Sequence, residues 1–171
     1  MARILVALGA NIGNRRANLR AAVRDLAPEV RVRAVSALYA SDPAGVTDQP
    51  PFFNAALLAD TDLAPEAVLD QLQALERRLG RRPGIRWGPR PLDLDLLAYD
   101  DLAFDSERLV LPHPRIRERA FVLGPLADLD PERVLPGWRE RVRAALARID
   151  TSALRRIAGP GWADPAAAGG P

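Results

Sequence analysis

Apolar residues recur along this chain with two spacings, and the spacing changes where the predicted element changes. Residues 3–9 are a short apolar run ending at Gly9, which predicts a buried strand. Gly9-Ala10-Asn11-Ile12-Gly13-Asn14 reads as a tight turn, with Asn14 placed to cap a helix. Leu19, Val23 and Leu26 then follow at helical spacing until Pro28. Residues 30–40 are β-prone, residues 41–51 form a proline-stiffened loop, and residues 53–58 predict another strand. Pro65 opens a helix whose stripe is Val68, Leu72, Leu75 and Leu79, and Gly80 ends it. Gln73 and Glu76 flank that stripe and share a neighbouring one with Leu69. Leu92, Leu94 and Leu96 alternate with Asp93 and Asp95, the period of a strand. Asp100-Asp101 reads as a turn. A helix is predicted through Arg115–Phe121 to about Gly124-Pro125, and a last amphipathic one over 138–149. No repeat and no second domain are visible. One domain is expected over 1–158, with a disordered Gly/Pro/Ala tail over 159–171.

Composition narrows the picture. A chain of 171 residues suits one domain with a real core. No apolar stretch is long enough to span a membrane, and the start of the chain does not read as a signal peptide. Absence of cysteine excludes disulfides and thiolate metal sites and fits a cytoplasmic enzyme. All 24 basic residues are arginine, so no lysine-based mechanism is open. A net charge of +2 is too small for a polybasic nucleic-acid binder.

The candidate chemistry centres on Arg86-Trp87-Gly88-Pro89-Arg90-Pro91-Leu92-Asp93-Leu94-Asp95. Residues two apart on a strand stand roughly 6–7 Å apart on one face, and carboxylates so close repel unless a cation or proton intervenes. Acids on the open face of an edge strand also keep sheet edges soluble, so the pair alone reads either way. Arg86 and Arg90 suit phosphate, and a solvated edge does not require Trp87 or a Gly-Pro kink. Arg81-Arg82 reads as solvated surface or as a phosphate clamp. Phe52 and Asn54 share a strand face that Phe53 does not. An aromatic ring beside an amide suits a flat heterocycle, although Phe52 as core is the plainer reading. His113, the only histidine, lies between two prolines and is not expected in the core.

These pieces, with Asp48-Gln49-Pro50, Phe53-Asn54-Ala55 and Leu111-Pro112-His113-Pro114 followed by Arg119 and Phe121, occur in one order. In that order the chain, over roughly residues 3–150, resembles the 6-hydroxymethyl-7,8-dihydropterin pyrophosphokinase family of folate biosynthesis. The resemblance implies a ferredoxin-like α+β fold, an antiparallel sheet between helices. It implies Mg²⁺-dependent transfer of pyrophosphate from ATP to the pterin hydroxymethyl group with release of AMP, by a monomer. Asp93 and Asp95 would hold two Mg²⁺ ions. Ser41, Pro43, Ala44, Phe52, Asn54, Trp87, Arg119 and Phe121 would surround the pterin, Phe52 and Phe121 stacking on it. Gln73, Glu76, Arg81, Arg86, Trp87, Arg90, Leu97, Arg108, Leu109, Leu111 and His113 would contact ATP. Arg81, Arg82, Arg90, Asp93, Asp95 and His113 would carry catalysis. Two departures stand out. The 81–86 loop is one residue short, so the second clamp position falls on Arg82 or Pro83. Pro114 occupies a position where many relatives carry Tyr. The rival classes are a ferredoxin-like nucleic-acid-binding module, disfavoured by the acid pair on its face, and a different Mg²⁺-dependent nucleotidyl enzyme or phosphotransferase.

Overall fold

In a computed structural model, residues 1–43, 48–80 and 90–164 are described. The chain runs β1 (Ala2–Ala10), α1 (Arg15–Asp25), β2 (Val30–Val35), β3 (Leu38–Ser41), β4 (Phe52–Thr61), α2 (Pro65–Arg78) and β5 (Asp93–Tyr99). It continues with β6 (Phe104–Asp105), β7 (Val110–Leu111), α3 (Ala120–Leu129), α4 (Val142–Ala147) and β8 (Leu154–Ala158). The main sheet has the order β5-β1-β4-β3-β8, with β2 also paired to β4, and every pairing is antiparallel. The crossovers through α1 and α2 place β1 and β5 beside each other, the expected ferredoxin-like arrangement.

Alternation along the strands divides the core into two layers. Ile4, Val6, Leu8, Leu57, Leu94 and Leu96 face α1 and α2 and pack with Leu19, Leu72 and Leu75. Leu5 and Ala7 face the opposite side, where they meet Val122, Leu123 and Leu126 of α3 and Val142 of α4. Central β1 is covered on both faces, which is why it reads as an unbroken apolar run. The β5 alternation breaks where its register with β1 shifts between Leu5 and Val6. Leu97 and Ala98 then both join the α3-side layer.

The structure corrects four expectations. The β-prone stretch 30–40 is two strands, broken at Ser36-Ala37. The Ser36 hydroxyl accepts from Ala56 N at 2.9 Å, and Asp128 accepts from Ala37 N at 3.2 Å. The helix expected to stop at Gly124-Pro125 instead begins after a short 3-10 turn (Ile116–Glu118) and runs through Pro125 to Leu129. Gly124 has no Cβ to clash with the proline ring, which removes part of the usual penalty on the preceding residue. The last helix spans only Val142–Ala147, because a turn at Gly137 (φ 79°) and the Trp138 N–H bond to Leu135 O occupy the chain before it. Finally, order does not end at 158. Pro160–Ala163 is a 3-10 helix, and Trp162 is 3% exposed, with its Nε1–H donated to Ser36 O at 2.8 Å. A large apolar side chain that close to the end found a place in the α1-side layer, beside the strand β8 that the sequence pattern did not reveal.

Candidate active site

Three adjacent strands set the floor of the site. Asn54 of β4 lies opposite Gly9 of β1, and Gly9 lies opposite Asp93 of β5. One step along, Ala56, Ala7 and Asp95 form the next row. Gly9 and Ala7 are the small residues between the amide and the carboxylates. A Cβ on Gly9 would meet Asn54 Oδ1 at 3.4 Å, tight against the amide. The resulting cleft has a volume of about 650 Å³ and lies over the α3-side face of the sheet, reaching past the β5 edge to α2.

One wall carries the ring-binding candidates. Asn54 is 4% exposed, and its Nδ2 donates to Ser41 Oγ at 2.6 Å. Phe52 and Phe121 both line the cleft, from β4 and from the first turn of α3. Phe53 points to the other face, against the α1-side core, with the Arg15 guanidinium 3.9 Å from its ring centroid. Of the two neighbouring rings, Phe52 and not Phe53 therefore lines the cleft.

The opposite wall is charged. Arg90 Nη1 stands 3.2 Å from Asp93 Oδ1, so a cation already offsets part of the repulsion between the acids. Leu92, Leu94 and Leu96 anchor the other face of this segment in the core, which holds both carboxylates toward the cleft. Glu76, 5% exposed, accepts from Leu94 N at 3.1 Å. It thereby satisfies an amide on the outer edge of β5. Gln73 lines the cleft beside it. His113 is held by its own backbone, His113 N donating to Leu97 O at 2.9 Å. Its Nδ1 accepts from Arg115 N at 3.2 Å, which leaves the proton of the neutral ring on Nε2. Burial pushes the His113 pKa below its ordinary value, with Arg119 and Arg115 adding to the shift and Asp93 opposing it. Arg119 also lies over the Phe121 ring, 5.7 Å from its centroid.

Eleven of the expected site residues thus meet in one cleft: Ser41, Phe52, Asn54, Gln73, Glu76, Arg90, Asp93, Asp95, His113, Arg119 and Phe121. Ala44, Arg81, Arg82, Arg86 and Trp87 lie outside the described residues, as does the choice between Arg82 and Pro83. Pro43 is half-buried but does not line the cleft. Leu97, Leu109 and Leu111 are core rather than cleft wall, because the register shift and the β6–β7 hairpin direct them inward. Arg108 pairs with Asp70 on α2, away from the cleft lining. Asp42, Arg115 and Glu118 line the cleft although sequence reasoning passed over them. The signal available for Arg115 was its position two residues after His113.

A profile of the 7,8-dihydro-6-hydroxymethylpterin-pyrophosphokinase (HPPK) family matches residues 5–131, most of the chain and all of the cleft. This chain is a member of the HPPK family. It is 48% identical over 159 residues to the 2-amino-4-hydroxy-6-hydroxymethyldihydropteridine pyrophosphokinase of Methylorubrum extorquens, covering 92% of this chain and 99% of the relative. The Pseudomonas aeruginosa protein of the same name is 45% identical, with 92% and 98% covered. Among solved structures, a Plasmodium falciparum HPPK-DHPS variant with pterin and p-hydroxybenzoate superposes with a TM-score of 0.75 at 13% identity. That match covers 91% of this chain and 47% of the larger one, and at that identity it shows the fold alone. No helix among the described residues is long and apolar enough to cross a membrane.

Proposed function

We infer that the cleft runs the reaction of its family: ATP donates its β,γ-pyrophosphoryl group to the hydroxymethyl oxygen of 6-hydroxymethyl-7,8-dihydropterin, in folate biosynthesis. The observation that carries this reading is the row Asn54–Gly9–Asp93. It puts an amide able to read a heterocycle edge and a carboxylate pair on one floor, with only a glycine between. A ring-binding wall therefore faces a phosphate-binding wall across a short gap.

The acceptor oxygen attacks the β-phosphorus, the bond from that phosphorus to the α–β bridging oxygen breaks, AMP departs with the bonding electrons, and the hydroxyl proton is lost. Phe52 and Phe121 are assigned to stack on the pterin, and Asn54 with Ser41 to hydrogen-bond its edge. Arg90, Arg119 and the Nε2–H of His113 are assigned to the phosphate oxygens, whose charge must be met as it redistributes. A neutral imidazole kept neutral by burial and flanking arginines remains a donor across the physiological range.

The donor set fits Mg²⁺. Two neighbouring carboxylates line the cleft, and no group of three or more acidic or histidine ligands occurs among the described residues. Such a pair leaves most of a coordination sphere to water and phosphate oxygens, as this cation prefers. Asp93 and Asp95 are the residues that would hold it, and there it would supply positive charge to neutralise the phosphates. Every residue assigned comes from one chain, so a monomer suffices.

Incubation with ATP, Mg²⁺ and the pterin alcohol, followed by chromatography, tests the reading. AMP and the pterin diphosphate are expected in equal amounts; ADP or free pyrophosphate as the product would refute it. Asp95→Ala should abolish turnover with the circular dichroism spectrum unchanged. Near-normal turnover at saturating Mg²⁺ would remove Asp95 from the metal site.

A further inference from the structure

Asn11 directly follows β1 and is fully buried, and its side chain bonds to nothing in its own turn. Asn11 Oδ1 accepts from Arg90 N at 2.7 Å, and Asn11 N donates to Arg90 O at 3.0 Å. Its Nδ2 donates to Gln49 Oε1 at 2.7 Å and to Pro50 O at 3.3 Å. These partners lie 79, 38 and 39 residues away in sequence. One planar amide therefore spans two stretches of chain. Arg90 leads directly to Asp93 on the phosphate wall, and Pro50 leads directly to Phe52 on the ring wall.

We propose that Asn11 is a positioning residue for the transfer step, a strut that sets the separation of the phosphate-binding and ring-binding walls. The proposal rests on the assignment of those two walls given above. Transfer between two bound substrates needs the attacking oxygen and the phosphorus within roughly 3–3.5 Å, and a misplacement of about 1 Å can cost on the order of 10²-fold in rate. A buried amide whose oxygen and nitrogen are bonded to opposite sides resists such drift, because movement of either side leaves a polar atom of a fully buried side chain without its partner. Two other side chains each tie one of these stretches to α1, and neither joins the two stretches to each other. Asn18 Nδ2 donates to Pro91 O at 3.2 Å, and Arg15 Nη1 donates to Pro51 O at 2.8 Å.

Asn11→Ala and Gln49→Leu test this, read by binding and by single-turnover rate. Binding is measured for the Mg²⁺ complex of α,β-methylene ATP and for the pterin alcohol, each alone. The expected result is that both affinities stay within about threefold of the parent. The transfer rate should fall on the order of 10²-fold in Asn11→Ala and about tenfold in Gln49→Leu, with the double variant no slower than Asn11→Ala. An unchanged transfer rate, or affinity losses as large as the rate loss, would overturn the strut, as would multiplying effects in the double variant. Should Asn11→Ala fail to fold, Gln49→Leu, which empties no buried site, decides alone. Phe121→Ala and Asp95→Ala serve as controls. If the first leaves pterin affinity intact and the second leaves nucleotide affinity intact, the assignment of the walls fails, independently of the strut.

Discussion

At the scale of single residues, His113 shows how packing chooses a protonation state. Its pKa is depressed by burial first and by Arg119 and Arg115 next. The folded state thus binds the proton less readily than the unfolded chain, whose histidine titrates near about 6.5. Stability that depends on this group is present above that value and is lost as pH falls from it toward the lower folded value. His113 is the only histidine, so no other imidazole masks the effect. Urea midpoints of the parent should decline as pH falls through this window, whereas those of His113→Gln should stay flatter until the carboxylates titrate. Equal slopes in the two proteins would show that the ring is not held neutral. The acid pair illustrates the same point differently. Alternation with leucines placed Asp93 and Asp95 on one face, but the partner that already sits on Asp93, Arg90, is decided by the turn before β5.

At the scale of elements, α3 and β8 are fitted to each other. Gly124 lets the helix approach so closely that a Cβ there would stand 2.6 Å from Leu154 Cδ2. Leu154 opens β8, which completes the sheet edge beside β3. Gly124→Val should therefore destabilise by about 1–3 kcal/mol through overpacking. Adding Leu154→Ala should recover part of that loss, because it removes the group being struck. Denaturant unfolding of the two single variants and the double variant checks this, and simple additivity would deny the contact. The Asp128 carboxylate near the end of the same helix accepts from Ala37 N and, at 2.8 Å, from Tyr39 Oη–H. With burial, this interaction pushes the Tyr39 phenol up to about 12. A break in an edge region is thus held from across the sheet.

At the scale of the whole molecule, the turn Pro160–Ala163 closes the α1-side layer. Trp162 packs into that layer and donates to the Ser36 carbonyl, while the Arg20 side chain donates to Trp162 O at 2.6 Å. Losing a buried Trp side chain costs about 3–5 kcal/mol. A chain ending at Ala158, or the variant Trp162→Ala, should accordingly melt on the order of 10 °C lower. The cleft lies on the opposite face, so pterin and nucleotide affinities well below the melting transition should change little. A melting point unmoved by the truncation would mean that the turn is not part of the fold's stability.

The sequence by itself determined the order of most elements, the α1-side core and the shared faces of Phe52 with Asn54 and of Asp93 with Asp95, because side chains alternate with the period of the strand itself. It also carried the HPPK resemblance, since Arg86–Asp95 and the short motifs around it are contiguous. Tertiary structure decided everything that depends on residues far apart in sequence. It set Gly9 between Asn54 and Asp93, turned Leu97 inward at the register shift, and left Leu109 and Leu111 in the core. It also buried Pro125 within α3 and gave Asn11 partners on both sides of the cleft. A periodic pattern reports which way a side chain points from its own strand or helix. The rest is settled by which strands and turns arrive opposite it.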